Sequence, residues 1–197
     1  MPKIILISGV IILGYFIGSI PFGLIVSRLY GIDIRKQGSG NIGATNVLRV
    51  LGIVPGSIVF ILDLLKGALA TSLVILALGL TAYLPIILTG TAAILGHMFS
   101  IYLGFQGGRG VATSAGVLLA IAPDLFLITI TIFALTLALS RYVSVSSITS
   151  AVILAILMLV FRKPAPYAWV TVSVAVLIII RHVPNIRRLI SWTEPKI

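Results

Sequence analysis

A chain of 197 residues that is 59% hydrophobic and 9% charged, with a mean hydropathy of +1.24, has too little polar surface to cover a soluble domain. It belongs in a bilayer. Its formal net charge of +10 comes from 14 Lys and Arg against only Asp33, Asp63, Asp124 and Glu194. The basic residues are spread over loops between apolar runs, which suits anionic headgroups or anionic substrates and sets nucleic acid aside. Without cysteine there are no disulfides, no thiol catalysis and no thiolate metal site, and two histidines with four acids do not suggest a metal cage. No cofactor is implied.

A spanning helix needs about 20 apolar residues, fewer where the bilayer thins. Lys3 precedes an apolar run that passes Gly18, Pro21 and Phe22 to Leu29 without a small-residue cleavage site, so it reads as a first membrane helix rather than a signal peptide. Further spans are expected near 54–80, 82–104, 112–122, 125–140, 147–161 and 166–181. The fourth and fifth are short, and charge decides whether they are one helix or two. Two helices with a turn at Pro123-Asp124, and an outside N-terminus, put Arg28, Arg35, Lys36, Arg49, Arg109, Arg141, Arg181, Arg187, Arg188 and Lys196 inside. Lys3, Arg162 and Lys163 are then outside. A fused helix nearly erases that asymmetry, so the expectation is an all-α integral membrane protein with seven transmembrane helices, N-terminus periplasmic or outside and C-terminus cytoplasmic. The whole chain, 1–197, is one polytopic domain in this reading.

Between the first two spans, Gly38-Ser39-Gly40-Asn41-Ile42-Gly43-Ala44-Thr45-Asn46 leads into a short helix ending at Gly52. Glycines that adopt positive φ expose N–H groups, Thr45 or Asn46 can cap the helix, and a helix N-terminus favours anions. Ser39, Asn41, Thr45, Asn46 and Arg49 add side-chain donors. The spacing of Gly38, Gly40 and Gly43 fits G-x-G-x-x-G, but no strand precedes it. Gly38 to Thr45 also approaches a Walker A pattern, yet Ala44 replaces the lysine that would reach a phosphate. Neither motif is assigned. A second loop, Gly107-Gly108-Arg109-Gly110, leads through Thr113 and Ser114 into the fourth span and repeats the same physics on the same side. The cytoplasmic loops near 31–53, 105–112 and 181–197 therefore hold every unusual polar segment.

Within the apolar spans, Asp63 and Lys66 are three apart on one helical face. They pair to lower the cost of insertion, or Lys66 faces a substrate phosphate. His97 either orients the second glycine loop or faces the site. At the end of the seventh span, His182 and Asn185 are three apart and Arg188 follows three later, with Pro184 bending the helix between them. A proton-handling group beside a carbonyl-orienting group is what acyl transfer requires.

The runs GSGNIGATNVLR, DLLKG, GHMFSIYLGFQGGRGVAT and RHVPNIRRL, in this order over nearly the whole chain, resemble the bacterial acyl-phosphate:glycerol-3-phosphate acyltransferase family, PlsY. The resemblance implies a seven-span inner-membrane enzyme. It implies transfer of a fatty acyl group from acyl phosphate to the 1-hydroxyl of glycerol 3-phosphate, giving lysophosphatidic acid, with a peripheral partner, PlsX, supplying acyl phosphate. It also implies that Ser39, Arg49, Arg109, His182 and Asn185 contribute to the site. The proton acceptor is then His182 or a substrate phosphate oxygen, and a Ser39 nucleophile ranks behind both. Two features depart from the family pattern. Gln106 and Arg109 stand where lysines are usual, and Trp192 stands where a glycine is usual, a residue ill suited to a positive-φ turn. Two other classes compete with the enzyme: an anion transporter, which would place cations near the bilayer midplane, and a lipid-binding scaffold.

Overall fold

The computed structural model describes residues 2–79 and 81–197, with side chains from Ile4 onward. Lys3, counted above as outside, and Leu80, the expected end of the second span, lie outside the described side chains. All regular structure among the described residues is helical, and the chain divides into two compact units, Met1–Ile121 and Ala122–Ile197.

The first unit contains α1 (Pro2–Ser19), α2 (Phe22–Leu29), α3 (Ala44–Leu51), α4 (Ile53–Leu78), α5 (Tyr83–Met98) and α6 (Val111–Ile121). Pro21 has no N–H to continue the helix, so the first span breaks into α1 and α2. α1 lies against α5 at very short range: a Cβ on Gly18 would collide with the backbone of Ala93. Close backbone approach through small residues is how apolar helices gain contact where lipid offers no hydrophobic drive. The ends of the pair are tied by Ser100 Oγ donating to Ser19 O (2.6 Å) and Tyr15 Oη donating to Phe99 O (2.7 Å). The α4–α6 pair uses the same device, with Gly116 against Leu64 O. Beneath the first polar loop, Leu24, Val26, Ile34, Ile42, Val47 and Val59 form a buried cluster, so α2, the loop and α3 rest on α4 as one packed layer.

The second unit contains α7 (Pro123–Ser140), α8 (Val143–Val160), α9 (Ala165–Arg181) and α10 (Val183–Ile190). Pro123 and Asp124 form the first turn of α7 rather than a free-standing turn. Proline is pre-set for that position, and Asp124 is held by Lys163 Nζ at 2.7 Å. The tail folds back on the α7–α8 corner: Ile197 N–H donates to Arg141 O, Arg141 Nε donates to Ile197 O, both at 2.9 Å, and Lys196 sits 5.4 Å over the Tyr142 ring.

Among the described residues, five spans pass on length and apolarity: Ile4–Leu29, α4, Tyr83–Leu103, α7 and α8. The α9–α10 pair, bent by 52°, makes a sixth. α6 falls at the expected fourth span but has only 11 residues, about 16 Å at 1.5 Å per residue, short of a 30 Å hydrocarbon core. Length therefore supports five to six spans. Outward apolar side chains such as Leu76 (83% exposed) and Leu139 (88%) are what lipid-facing helix sides carry.

Trp192 takes φ 59°, so the turn that suits glycine is made here by tryptophan, with the side chain 90% exposed. A left-handed conformation costs a Cβ-bearing residue about 1–2 kcal/mol, partly offset by glycine's freer unfolded chain. Trp192→Gly is expected to stabilise the protein in detergent by about 0.5–1 kcal/mol in thermal unfolding. A loss of stability would show that indole contacts outweigh the strain.

Candidate functional site

In the first unit, the opening loop is shaped by Asn46, whose side chain is 2% exposed. Its Nδ2 converges on Asn41 O (2.9 Å), Gln37 O (3.0 Å) and Ile34 O (3.3 Å), while its Oδ1 accepts from Ser39 N–H at 2.9 Å. Asn46 is thus occupied in holding the loop, which corrects its expected role as a helix cap or anion donor. A Cβ on Gly38 would strike Asn46 Oδ1, and Gly38 and Gly40 take φ 58° and 71°. Gly40 N–H donates to Gln37 O and Gly43 N–H to Asn41 Oδ1. The cradle of free glycine N–H groups expected here is therefore closed on itself. α3 starts on Gly43 with no side-chain cap, so the first-turn N–H groups of Ala44 and Thr45 are the loop's helix-end donors. Ser39 is exposed and Arg49, on the last turn of α3, is half-buried. Ahead of the loop, Asp33 accepts from Arg35 N–H, Nε and Nη2 (3.1, 2.9 and 2.5 Å). Those bonds hold its carboxyl far below the usual carboxylate range.

The second loop is likewise braced. Gly107 N–H donates to Met98 O (3.1 Å) and Gly108 N–H to His97 O (3.0 Å), which again removes two donors expected to face a ligand. Bonding back to α5 turns the chain sharply and leaves Arg109, half-buried, beside Gly110 at φ 81°, where α6 begins. Thr113, fully buried in the first turn of α6, has a hydroxyl without a partner among the described residues, and so does Ser114.

Lys66 pairs with Asp63 at 2.7 Å, both side chains being 2% exposed. Its other two donors reach Ile20 O (2.8 Å) and His97 Nδ1 (3.0 Å), and the ammonium lies 5.6 Å from the centre of the Phe22 ring. With Asp63 Oδ1, Ile20 O and His97 Nδ1 all within 3.0 Å of it, the ammonium is engaged by the protein, which supports the pairing account. His97, also buried, has Nδ1 toward Lys66 and Nε2 against Gly108, so it faces the loop.

In the second unit, His182 sits at the break between α9 and α10, 1% exposed, with Nδ1 2.8 Å from Ile178 O. A carbonyl only accepts, so Nδ1 carries the proton and Nε2 the lone pair of the neutral ring. Asn185 is fully buried, and its Nδ2 donates to Glu194 Oε1 at 2.6 Å. Because a carboxylate only accepts, this bond fixes the amide and leaves Oδ1 as an acceptor without a partner among the described residues. Arg188 Nε donates to Glu194 Oε2 (2.7 Å) and Ser144 Oγ to Glu194 Oε1 (3.2 Å). Arg188 Nη2 is buried without a partner among the described residues.

Sequence reasoning missed Glu194. The available signal was that it is the single acid after Asp124 and lies six residues from Arg188. Burial works to raise its pKa, but the bonds from Asn185, Arg188 and Ser144 outweigh it and hold the carboxyl below the ordinary glutamate value. A depressed folded pKa contributes stability that is present above the unfolded value, about 4.3, and is lost as pH falls through the folded one. Thermal unfolding of the wild type should therefore weaken on acidification below about 4.3, and in Glu194→Gln that component of the slope should be absent. Identical acid slopes would remove Glu194 from the account.

A family model described as glycerol-3-phosphate acyltransferase matches residues 8–192. Glycerol-3-phosphate acyltransferase of Geobacillus kaustophilus is 44% identical over 189 residues, covering 95% of this chain and 94% of that protein. The Bacillus subtilis protein of the same name is 46% identical over 194 residues, covering 98% of each. Among solved structures, PlsY (YgiH), an integral membrane glycerol 3-phosphate acyltransferase, superposes in its glycerol 3-phosphate form with a TM-score of 0.93 and 37% identity, over 97% of this chain and 95% of that one. Its lysophosphatidic acid form gives 0.90 at the same identity, over 96% and 94%. With the family model matched over residues 8–192 and the fold shared over nearly the whole of both chains, the chain belongs to the glycerol-3-phosphate acyltransferase family.

Proposed function

We propose that this protein transfers a fatty acyl group from acyl phosphate to the 1-hydroxyl of glycerol 3-phosphate, giving lysophosphatidic acid and inorganic phosphate. What carries the reading is the end-to-end likeness to PlsY in its glycerol 3-phosphate form, with the arginines, His182 and Asn185 of the motifs present. The hydroxyl oxygen bonds to the acyl carbon, the acyl–oxygen bond to phosphate breaks, and the hydroxyl proton passes to His182 Nε2. Acyl phosphate is an activated mixed anhydride, so alignment and charge neutralisation supply most of the acceleration. Arg49, Arg109 and Arg188 neutralise phosphate, with Ser39, Asn41, Thr45 and Thr113 as neutral donors. Asn185 Oδ1 orients the attacking hydroxyl. Gly38, Gly40, Gly43, Gly107, Gly108 and Gly110 supply the turns that present those side chains.

The chain works in this proposal as one polytopic domain of seven spans in a bacterial inner membrane, N-terminus outside, with α6 a short seventh span and the polar loops facing the cytoplasm. Membrane lipid surrounds it, and PlsX delivers the donor. Purified protein with labelled acyl phosphate and glycerol 3-phosphate in detergent should form lysophosphatidic acid. Equal use of acyl-CoA would overturn the donor assignment, and no product would overturn the reaction. Cysteines introduced at positions 39 and 109 should label from one side of the membrane only.

Arg109→Ala is expected to lower kcat/KM by about 2–4 kcal/mol, the loss of a charge-assisted phosphate contact, measured by steady-state kinetics with each substrate varied. Unchanged kinetics would remove Arg109 from the site. Arg109→Lys should keep most of the activity, because a point charge still neutralises phosphate while the bidentate fork is lost.

A further inference from the structure

We propose that the buried Asp63–Lys66–His97 chain is a positioning device for the 107–110 loop, with His97 as the residue that presses on it; this rests on the reading of Arg109 as a phosphate ligand. A membrane protein that needs only to insert can neutralise one carboxylate with one ammonium, and it has no use for the connections found here. Lys66 is bonded at once to Asp63 on its own helix, to the Ile20 carbonyl at the α1–α2 break, and to His97 on α5. Its ammonium therefore ties three helical segments at one buried point.

The bond to His97 has a directional consequence. Nδ1, 3.0 Å from the ammonium and 3.5 Å from Asp63 Oδ1, is held toward the ion pair, so the Nε2 edge of the ring points away from it. That edge lies so close to Gly108 that any Cβ there would overlap Nε2, Cε1 and Cδ2. The loop is also bonded to the backbone at the end of α5, since Gly108 N–H donates to His97 O and Gly107 N–H to Met98 O. The loop is thus clamped between the end of α5 and an imidazole whose tilt is set by Lys66. Arg109 is the next residue, so a displacement of Gly108 is passed to the Arg109 backbone. The imidazole edge is what meets Gly108, while Gly107 lies against the backbone of His97 and Met98.

Contact between one ring edge and one missing Cβ predicts compensation. Gly108→Ala should cut kcat/KM at least tenfold, because the methyl group displaces the loop from the ring. His97→Asn keeps an acceptor for Lys66 but vacates the space at Gly108. In the His97→Asn/Gly108→Ala double variant the methyl group fits, and kcat/KM should return to within about threefold of His97→Asn alone. His97→Asn should raise KM for whichever substrate Arg109→Ala also affects and leave KM for the other within about twofold. His97→Gln, which still reaches Gly108, should restore part of the loss.

A double variant no better than Gly108→Ala, or a His97→Asn defect in kcat with both KM values unchanged, overturns the proposal. Thermal unfolding of the same four proteins in detergent shows whether a loss is one of folding. If the wild type makes no lysophosphatidic acid, the proposed reaction fails, while the coupling is still tested: Gly108→Ala should lower Tm and His97→Asn should recover it. Additive Tm shifts then overturn it.

Discussion

Lys66→Met is expected to destabilise the protein by about 3–5 kcal/mol, the cost of leaving a buried carboxylate without its counter-ion. Asp63 and Lys66 are each 2% exposed and 2.7 Å apart, so neither can reach water when the partner is removed. Methionine fills most of the lysine stem's volume, which keeps the cavity contribution small and isolates the charge effect. The loss also leaves the Ile20 carbonyl with Phe22 N–H alone and His97 Nδ1 with Asp63 Oδ1, 3.5 Å away. Replacing both members of the ion pair separates these terms. Asp63→Leu/Lys66→Met removes both charges and should recover most of the stability lost in the single variant, since apolar replacement of a whole buried pair is often neutral. Thermal unfolding in one detergent provides the comparison. A loss under about 1 kcal/mol in Lys66→Met would mean that the pair is not desolvated, contrary to its burial.

The same residues show how far the sequence could be read. The three-residue spacing of Asp63 and Lys66 revealed that they share a face and can pair, because helical geometry alone decides that. It did not reveal Ile20 O or His97 as further partners, because those contacts depend on where α1 breaks and how α5 crosses α4. The glycine-rich loops were legible as turns, and φ values at Gly38, Gly40 and Gly110 agree. Their N–H groups were misassigned. Free donors are a property of an isolated loop, whereas here Asn46 and the carbonyls at the end of α5 consume them. The polar group at the end of α9 was visible from the spacing of His182, Asn185 and Arg188, but Glu194 arrives through a tail that folds back, which no periodicity encodes. The span boundaries were recovered within a few residues, since hydropathy depends on composition. The count was harder because α6 is short, and charge bias is a rule of insertion rather than of length.

His182→Ala is expected to lower kcat by about 10²–10⁴ and to abolish the rise in rate toward alkaline pH. In the proposed reaction the two ring nitrogens have different tasks. Nδ1 is 2.8 Å from Ile178 O, an acceptor one helical turn back, and that bond holds the proton on Nδ1 and fixes the ring. The neutral imidazole then has its lone pair on Nε2, so the active form is the deprotonated one and the rate climbs as pH rises through the imidazole titration. Protonation converts Nε2 into a donor and stops proton abstraction, which gives the sign of the profile. His182 stands at the 52° bend where α9 passes into α10, and Pro184 in the first turn of α10 secures that bend. His182→Asn retains an N–H that can satisfy Ile178 O but supplies no basic nitrogen, so it should fold like the wild type and lose the alkaline rise as completely as alanine does. If both variants keep the rise, the hydroxyl proton goes to a substrate phosphate oxygen, and His182 serves only to shape the bend. If only His182→Asn keeps activity, the ring's task is the bond to Ile178 O rather than proton transfer.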